Sequence, residues 1–271
     1  MRRFAILAAF VLALAGCGGS GNDENSSGGT SSGGGNAIAQ AAEKTANTGS
    51  VKASFVIASK DLAGTGTGLF NNDKQGTGKV TMAVRSQGQT VNVDTIVAGN
   101  VIYIRSPAFA QGGLPAGKQW VRLDLAQLAQ QQGVDLGSLV NSNPSPTGAL
   151  AYLQGSTGDV QKVGTETVDG VDTTHYKATI DLEKAAQKAT GKQRDSIRRV
   201  ITVSGVKKLP VEVWIDDDGY VRKVAYVEHS GRNQSSNITM QLRDFGPHAS
   251  ITSPPSSSVI DFQDLIQQGG G

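Results

Sequence analysis

Two phrases of the form strand, Asp-Gly turn, strand constrain this chain more tightly than anything else in it. One runs from Gly164 to Tyr176 around Asp169-Gly170, the other from Leu209 through Asp218-Gly219 to Val227. A tight hairpin turn needs positive φ, which glycine adopts without a Cβ clash, so Asp-Gly between alternating residues predicts an antiparallel hairpin. Val211, Val213 and Ile215 fall on one face, with Glu212 and Trp214 on the other. Likewise Tyr176, Ala178 and Ile180 oppose His175, Lys177 and Thr179. Period two is the mark of a sheet with one face packed. Between the hairpins, Glu183 to Val200 is rich in Ala, Lys, Gln and Arg and predicts a helix.

Other strands are predicted at Val51–Ala58, Gly78–Ser86, Thr90–Ala98 and Val101–Arg105, with turns at Gln87-Gly88 and Gly99-Asn100. Val80, Met82 and Val84 share a strand face, as do Val91, Val93 and Val97. Ala37 to Thr48 has high helix propensity and a stop at Gly49. The glycine-rich stretch Asp61 to Thr77 leaves open a strand with a long polar turn or a mobile flap. After a Pro/Gly loop, strand Gln119–Leu123 runs into Asp124, an N-cap for a helix Leu125–Gln132, and Tyr176–Ile180 runs into Asp181 in the same way. Thr147 is predicted to cap a short helix to Gln154. Tyr226–Ser230 and Ser236–Asp244 are the last long strands.

The N-terminus has the form of an export signal. Met1-Arg-Arg3 precedes an apolar run, Phe4 to Ala15, too short to span a bilayer. Leu14-Ala-Gly-Cys17 has the pattern of a bacterial lipobox, in which the cysteine thiol accepts a diacylglyceryl group. Cys17 is also the one cysteine of the chain, which excludes an intramolecular disulfide and a cysteine-based metal cluster. The expected organisation is a signal peptide over 1–16, a lipidated cysteine and Gly/Ser tether over 17–36, one domain over 37–264 and a disordered tail over 265–271. Two or three acyl chains anchor a protein far more durably than one, so Cys17 is expected to hold the protein on the outer face of the cell membrane. The tether Gly18 to Gly35 has a root-mean-square reach of about 20–25 Å.

Composition excludes several function classes. The formal net charge is +2, and Arg2 and Arg3 leave with the signal, so the mature chain is near neutral and has no footprint for nucleic acid. His175, His229 and His248 lack metal-ligand spacing, and each is expected to be a surface or hydrogen-bonded histidine. Asp216-Asp217-Asp218-Gly219 fails the calcium-loop spacing, because Trp214 stands where the first acid is needed. Asp244-Phe-Gly246 lacks the other kinase motifs, and Gly64-Thr-Gly-Thr-Gly68 lacks the Lys of a phosphate loop. No Gly-x-Ser-x-Gly pattern stands between a predicted strand and a predicted helix, the context a nucleophile elbow needs. Neither an enzyme nor a cofactor is expected. A binding protein is.

The phrases T-E-T-V-D-G-V-D-T-T-H-Y and L-P-V-E-V-W-I-D-D-D-G-Y-V-R-K-V, followed by a strand ending Leu242-Arg-Asp-Phe-Gly246, closely resemble the LppX/LprG-type actinobacterial cell-wall lipoproteins. The likeness is densest over 160–262. That family lies in the LolA-like lipoprotein-carrier superfamily. The resemblance implies an α+β fold: a strongly curved antiparallel β half-barrel wrapped around helices, with an apolar cavity for acyl chains between them. It also implies a lipid or glycolipid ligand, carried or presented to an envelope transporter. The alternatives are a lipid sensor acting on a regulatory partner, or a structural lipoprotein whose cavity is filled by its own side chains. Val80, Met82, Val84, Val91, Val93, Val97, Val211, Val213 and Ile215 are the candidate cavity-lining residues.

Overall fold

The computed structural model describes residues 32–268, apart from 61, 73–75, 87, 112, 133–149, 151–152, 154–159 and 230–234. Cys17, the signal, the tether as far as residue 31 and most of the helix expected after Thr147 lie outside the described residues. The elements begin with α1 (Ser32–Ala46), followed by β1 (Ser50–Ser59), β2 (Leu62–Asn71), β3 (Thr77–Ser86), β4 (Gln89–Ala98) and β5 (Val101–Arg105). Next come α2 (Pro107–Gln111), β6 (Trp120–Asp124), α3 (Leu125–Gln132), β7 (Gln161–Val168), β8 (Val171–Asp181), α4 (Leu182–Lys188) and α5 (Gly191–Ser204). The chain ends with β9 (Lys208–Asp216), β10 (Val221–His229), β11 (Ser235–Gly246), β12 (Val259–Asp261) and α6 (Phe262–Gln268).

The twelve strands of the described residues form one sheet, in the order β12-β6-β5-β4-β3-β2-β1-β11-β10-β9-β8-β7. Two meanders, β1 to β6 and β7 to β11, join where β11 pairs with β1. Every pairing is antiparallel except β12 beside β6. The sheet is open, with β12 and β7 as its edges.

Both Asp-Gly phrases form hairpins, by different turns. Asp169 (φ 48°) and Gly170 (φ 78°) are both left-handed, giving a type I′ turn whose twist matches the flanking strands. At the second, Gly219 has φ 80°, but the loop is longer, from Asp217 to Tyr220. It is closed by the Asp216 N–H to the Tyr220 carbonyl at 3.0 Å and the Gly219 N–H to the Asp216 carbonyl at 2.9 Å.

Two expectations differ from the structure. The helix expected over Glu183 to Val200 is two helices. Thr190 is extended and Gly191 has φ 53°, and the break lets Ala189, only 4% exposed, enter the core. Helix α1 begins at Ser32, earlier than composition suggests, because Gly34 packs on Val160: a Cβ there would lie 2.7 Å from Val160 Cγ1. The glycine-rich stretch, left open between a strand and a flap, is mostly a strand, β2. As expected, Asp181 caps α4, accepting the Lys184 N–H at 3.0 Å, and Asp124 accepts the Ala126 and Gln127 N–H groups of α3.

Directly paired residues of antiparallel strands share a face, so register defines an inner and an outer side. The inner side carries two core clusters. The larger joins Ile38, Ala41 and Ala42 of α1 and Leu182, Ala185, Ala186 and Ile197 of α4–α5 to the inner residues of β1 and β8 to β11. The smaller joins Ile102, Ile104, Phe109, Val121 and Ile260, with Leu265 of α6 packed against them. Burying a Leu or Ile side chain contributes about 1.5–3 kcal/mol, so these clusters hold the helices on the sheet.

Candidate ligand-binding face

Between the two clusters, the inner face of β1 to β4 is apolar but half-exposed. Register places Val84 opposite Val91 and Met82 opposite Val93. On the other side of β3, Gly64, Gly66 and Gly68 of β2 lie opposite Val84, Met82 and Val80. Phe55 and Ile57 of β1 follow, paired with Gly66 and Gly64. The result is an apolar floor with a strip of missing side chains along its middle.

Neighbouring side chains lean into that strip. A Cβ on Gly66 would lie 2.6 Å from Met82 Cγ, and one on Gly68 or Gly78 would meet the Phe70 ring at 2.5 or 2.7 Å. Phe70 meets Phe55 edge-on, with ring centroids 5.9 Å apart. The alternation Gly-Thr-Gly-Thr-Gly was the sequence signal for this strip. It is a period-two pattern in which the outward residues are threonines and the inward ones have no side chain.

The candidate lining residues divide. Val211, Val213 and Ile215 are core residues of the larger cluster, at most 7% exposed. Val97 is buried, Val80 packs against the larger cluster and Val93 against the smaller. Met82, Val84 and Val91 are half-buried and belong to neither cluster. A separate cavity of about 290 Å³ lies beside the β7–β8 turn, but Asp169, Arg222, Arg243 and Asp244 line it. Its charged wall does not suit an acyl chain.

The outer face has one unusual cluster, which the strand alternation alone did not show. His175 is 4% exposed although it points away from the core. Its Nδ1 lies 2.9 Å from Glu166 Oε1 and its Nε2 2.8 Å from Glu212 Oε2. The ring stacks on Trp214 at 4.1 Å, and Lys223 Nζ sits 4.0 Å above the indole. The Trp214 indole N–H donates to Glu166 Oε2 at 2.7 Å. This bond, with further help from His175, holds the Glu166 carboxyl below its ordinary range. The histidine is thus a hydrogen-bonded one. Among the described residues no group of His, Cys, Asp and Glu is arranged to hold a metal ion, and no helix is long and apolar enough to cross a membrane.

No family model matches the chain. In sequence it is 30% identical over 175 residues to an uncharacterized 31.2 kDa protein in the rplA–rplJ intergenic region of Streptomyces griseus, covering 62% of this chain. The chain spans only 56% of that relative's length. It is 24% identical over 248 residues to a Streptomyces coelicolor protein named a putative lipoprotein, covering 86% of this chain and 77% of that one. In structure it resembles LprF from Mycobacterium bovis, with a TM-score of 0.51 and 15% identity, over 84% of this chain and 99% of that one. The lipoprotein LppX of Mycobacterium tuberculosis aligns over 80% of this chain and 97% of its own, with a TM-score of 0.48 and 16% identity. The match to LprF, at 15% identity, is one of fold: this chain has the LprF fold.

Proposed function

We propose that this chain is an exported lipoprotein, anchored through Cys17 on the outer face of the cell membrane, that binds an acyl chain of a lipid or lipoglycan on the inner face of β1 to β4. The observation that carries the reading is the half-exposed apolar face of Phe55, Ile57, Met82, Val84, Val91 and Val93 around the glycine strip. Sheet and helices would form two walls of the ligand space, the sheet curving around the helices as the family resemblance implies. Apolar contact suffices for such a ligand. Burying about 14 methylenes yields up to roughly 11 kcal/mol at 0.8 per CH₂, which the costs of association reduce. The unbranched, flexible Met82 is suited to move aside for the chain.

The test is mass spectrometry, native and after organic extraction, of the Cys17→Ala chain lacking residues 1–16 and purified from an actinobacterial host. Without the anchor, any stoichiometric lipid is cargo. The Val84→Asp/Val93→Asp variant places two carboxylates on the face, and is expected to lose that lipid while keeping its circular dichroism. A lipid retained by the variant would move the site elsewhere. A lipid-free wild-type chain that also takes none up from envelope extracts would leave a self-filled structural protein.

A further inference from the structure

We infer that the α4–α5 hairpin is a docking surface for an anionic lipid headgroup layer. The formal net charge of the whole chain hides a steep local concentration. Residues 182–208 hold eight Lys or Arg against two Asp or Glu, a net +6, although the full chain is only +2. The fold gathers these residues on one unit. Leu182, Ala185, Ala186, Ala189 and Ile197 turn into the core, while Lys184 and Lys188 of α4 and Arg198, flanking the core stripe of α5, are exposed. Lys207 and Lys208 extend this side. The Leu182 N–H donates to the Lys207 carbonyl at 2.9 Å, and Lys207 Nζ sits 3.1 Å from Glu183, fixing both lysines beside the first turn of α4.

The chemistry favours a phosphate-bearing lipid surface over a protein or a nucleic acid. Residues 182–208 contain no Phe, Tyr or Trp, so the unit offers neither a stacking platform for bases nor the aromatic anchors of a protein interface. Long flexible cations on an aliphatic helix pair suit a fluid layer, where each contributes without fixed geometry. The tether points the same way. Helix α1 packs in the same cluster as α4 and α5, and only residues 18–31 separate its first residue from Cys17, a reach of at most about 50 Å. That last step rests on the anchoring reading. The charge argument does not.

The experiment uses the Cys17→Ala chain lacking residues 1–16, so that no anchor contributes, with vesicles of phosphatidylcholine with or without phosphatidylglycerol. The chain is expected to sediment with the phosphatidylglycerol vesicles alone, and to be released at about 0.5 M salt, where screening acts over about 4 Å. Each cation near such a surface is worth about fivefold in partitioning. The Lys184→Glu/Arg198→Glu/Lys208→Glu variant should therefore bind more than a hundredfold less. The control Lys79→Glu/Arg85→Glu, on the outer face of β3, should bind as before. Equal binding to pure phosphatidylcholine, undiminished binding by the triple variant, or binding confined to a duplex oligonucleotide would each overturn the inference. Lipid extracted from the triple variant reports on the acyl-chain face separately, so the two readings fail independently.

Discussion

Thr45 shows how much one side chain can hold. It is fully buried in α1, donates its hydroxyl to the Ala41 carbonyl at 2.7 Å and accepts the Val221 N–H at 2.9 Å. Thr45→Val keeps the volume but strands a buried N–H, so it should cost about 1–3 kcal/mol in urea unfolding, whereas Thr45→Ser should recover most of that. Glu166 gives a pH signature instead. Its folded pKa is lowered, chiefly by the Trp214 indole N–H. Its contribution is therefore fully present above the ordinary value of 4.5 and is lost as pH falls through the folded value. The melting temperature of the wild type should drop more steeply below about pH 4.5 than that of Glu166→Gln, and parallel profiles would refute the assignment. Gly170 isolates backbone conformation: its φ is 78° and a Cβ there would meet nothing within 4 Å. Gly170→Ala should cost about 1 kcal/mol through the turn alone.

At the scale of elements, β2 is the strand whose meaning depends most on its neighbours. Glycines at every second position weaken a strand, and composition alone reads them as a loop. Paired between β1 and β3, they become a trough. Gly66→Ala should cost about 1–3 kcal/mol by overpacking, because the new Cβ meets Met82 Cγ at 2.6 Å and the Thr81 carbonyl at 2.8 Å. Adding Met82→Ala should recover part of the loss but not all, since the carbonyl cannot leave. A double-mutant cycle by chemical denaturation reads this coupling directly. The α4–α5 break is more local in origin: Thr190 and Gly191 are weak helix formers, Gly191 takes φ 53°, and the break sets Ala189 in the core.

Across the whole molecule, the smaller core depends on the last residues of the fold. Ile260 of β12 is 7% exposed, Phe262 and Leu265 of α6 pack beside it, and Arg122 joins Asp261 at 2.7 Å across the only parallel pairing described. Ending the chain after Ser258 should cost more than about 3 kcal/mol from Ile260 and its neighbours. The loss should be uneven, with faster amide hydrogen exchange in β5 and β6 and little change in β8 and β9, which belong to the other cluster. Uniform acceleration would show one cooperative core instead of two.

Local information in the sequence sufficed wherever a structure follows from near neighbours. Both Asp-Gly hairpins, the caps at Asp124 and Asp181, and the inward set Val211, Val213 and Ile215 follow from turn chemistry and period two, which act within a few residues. The candidate face was half legible: alternation put Met82, Val84, Val91 and Val93 on one side of their strands. It could not show that β2 would set glycines beside them, because cross-strand register is a long-range property. Nor could it place His175 between Glu166 and Glu212, or set Lys207 beside the first turn of α4, since both need strands and helices distant in sequence to pack. Local chemistry determined which elements form and which way their side chains point. Packing alone decided which residues escape the core and remain available to a ligand.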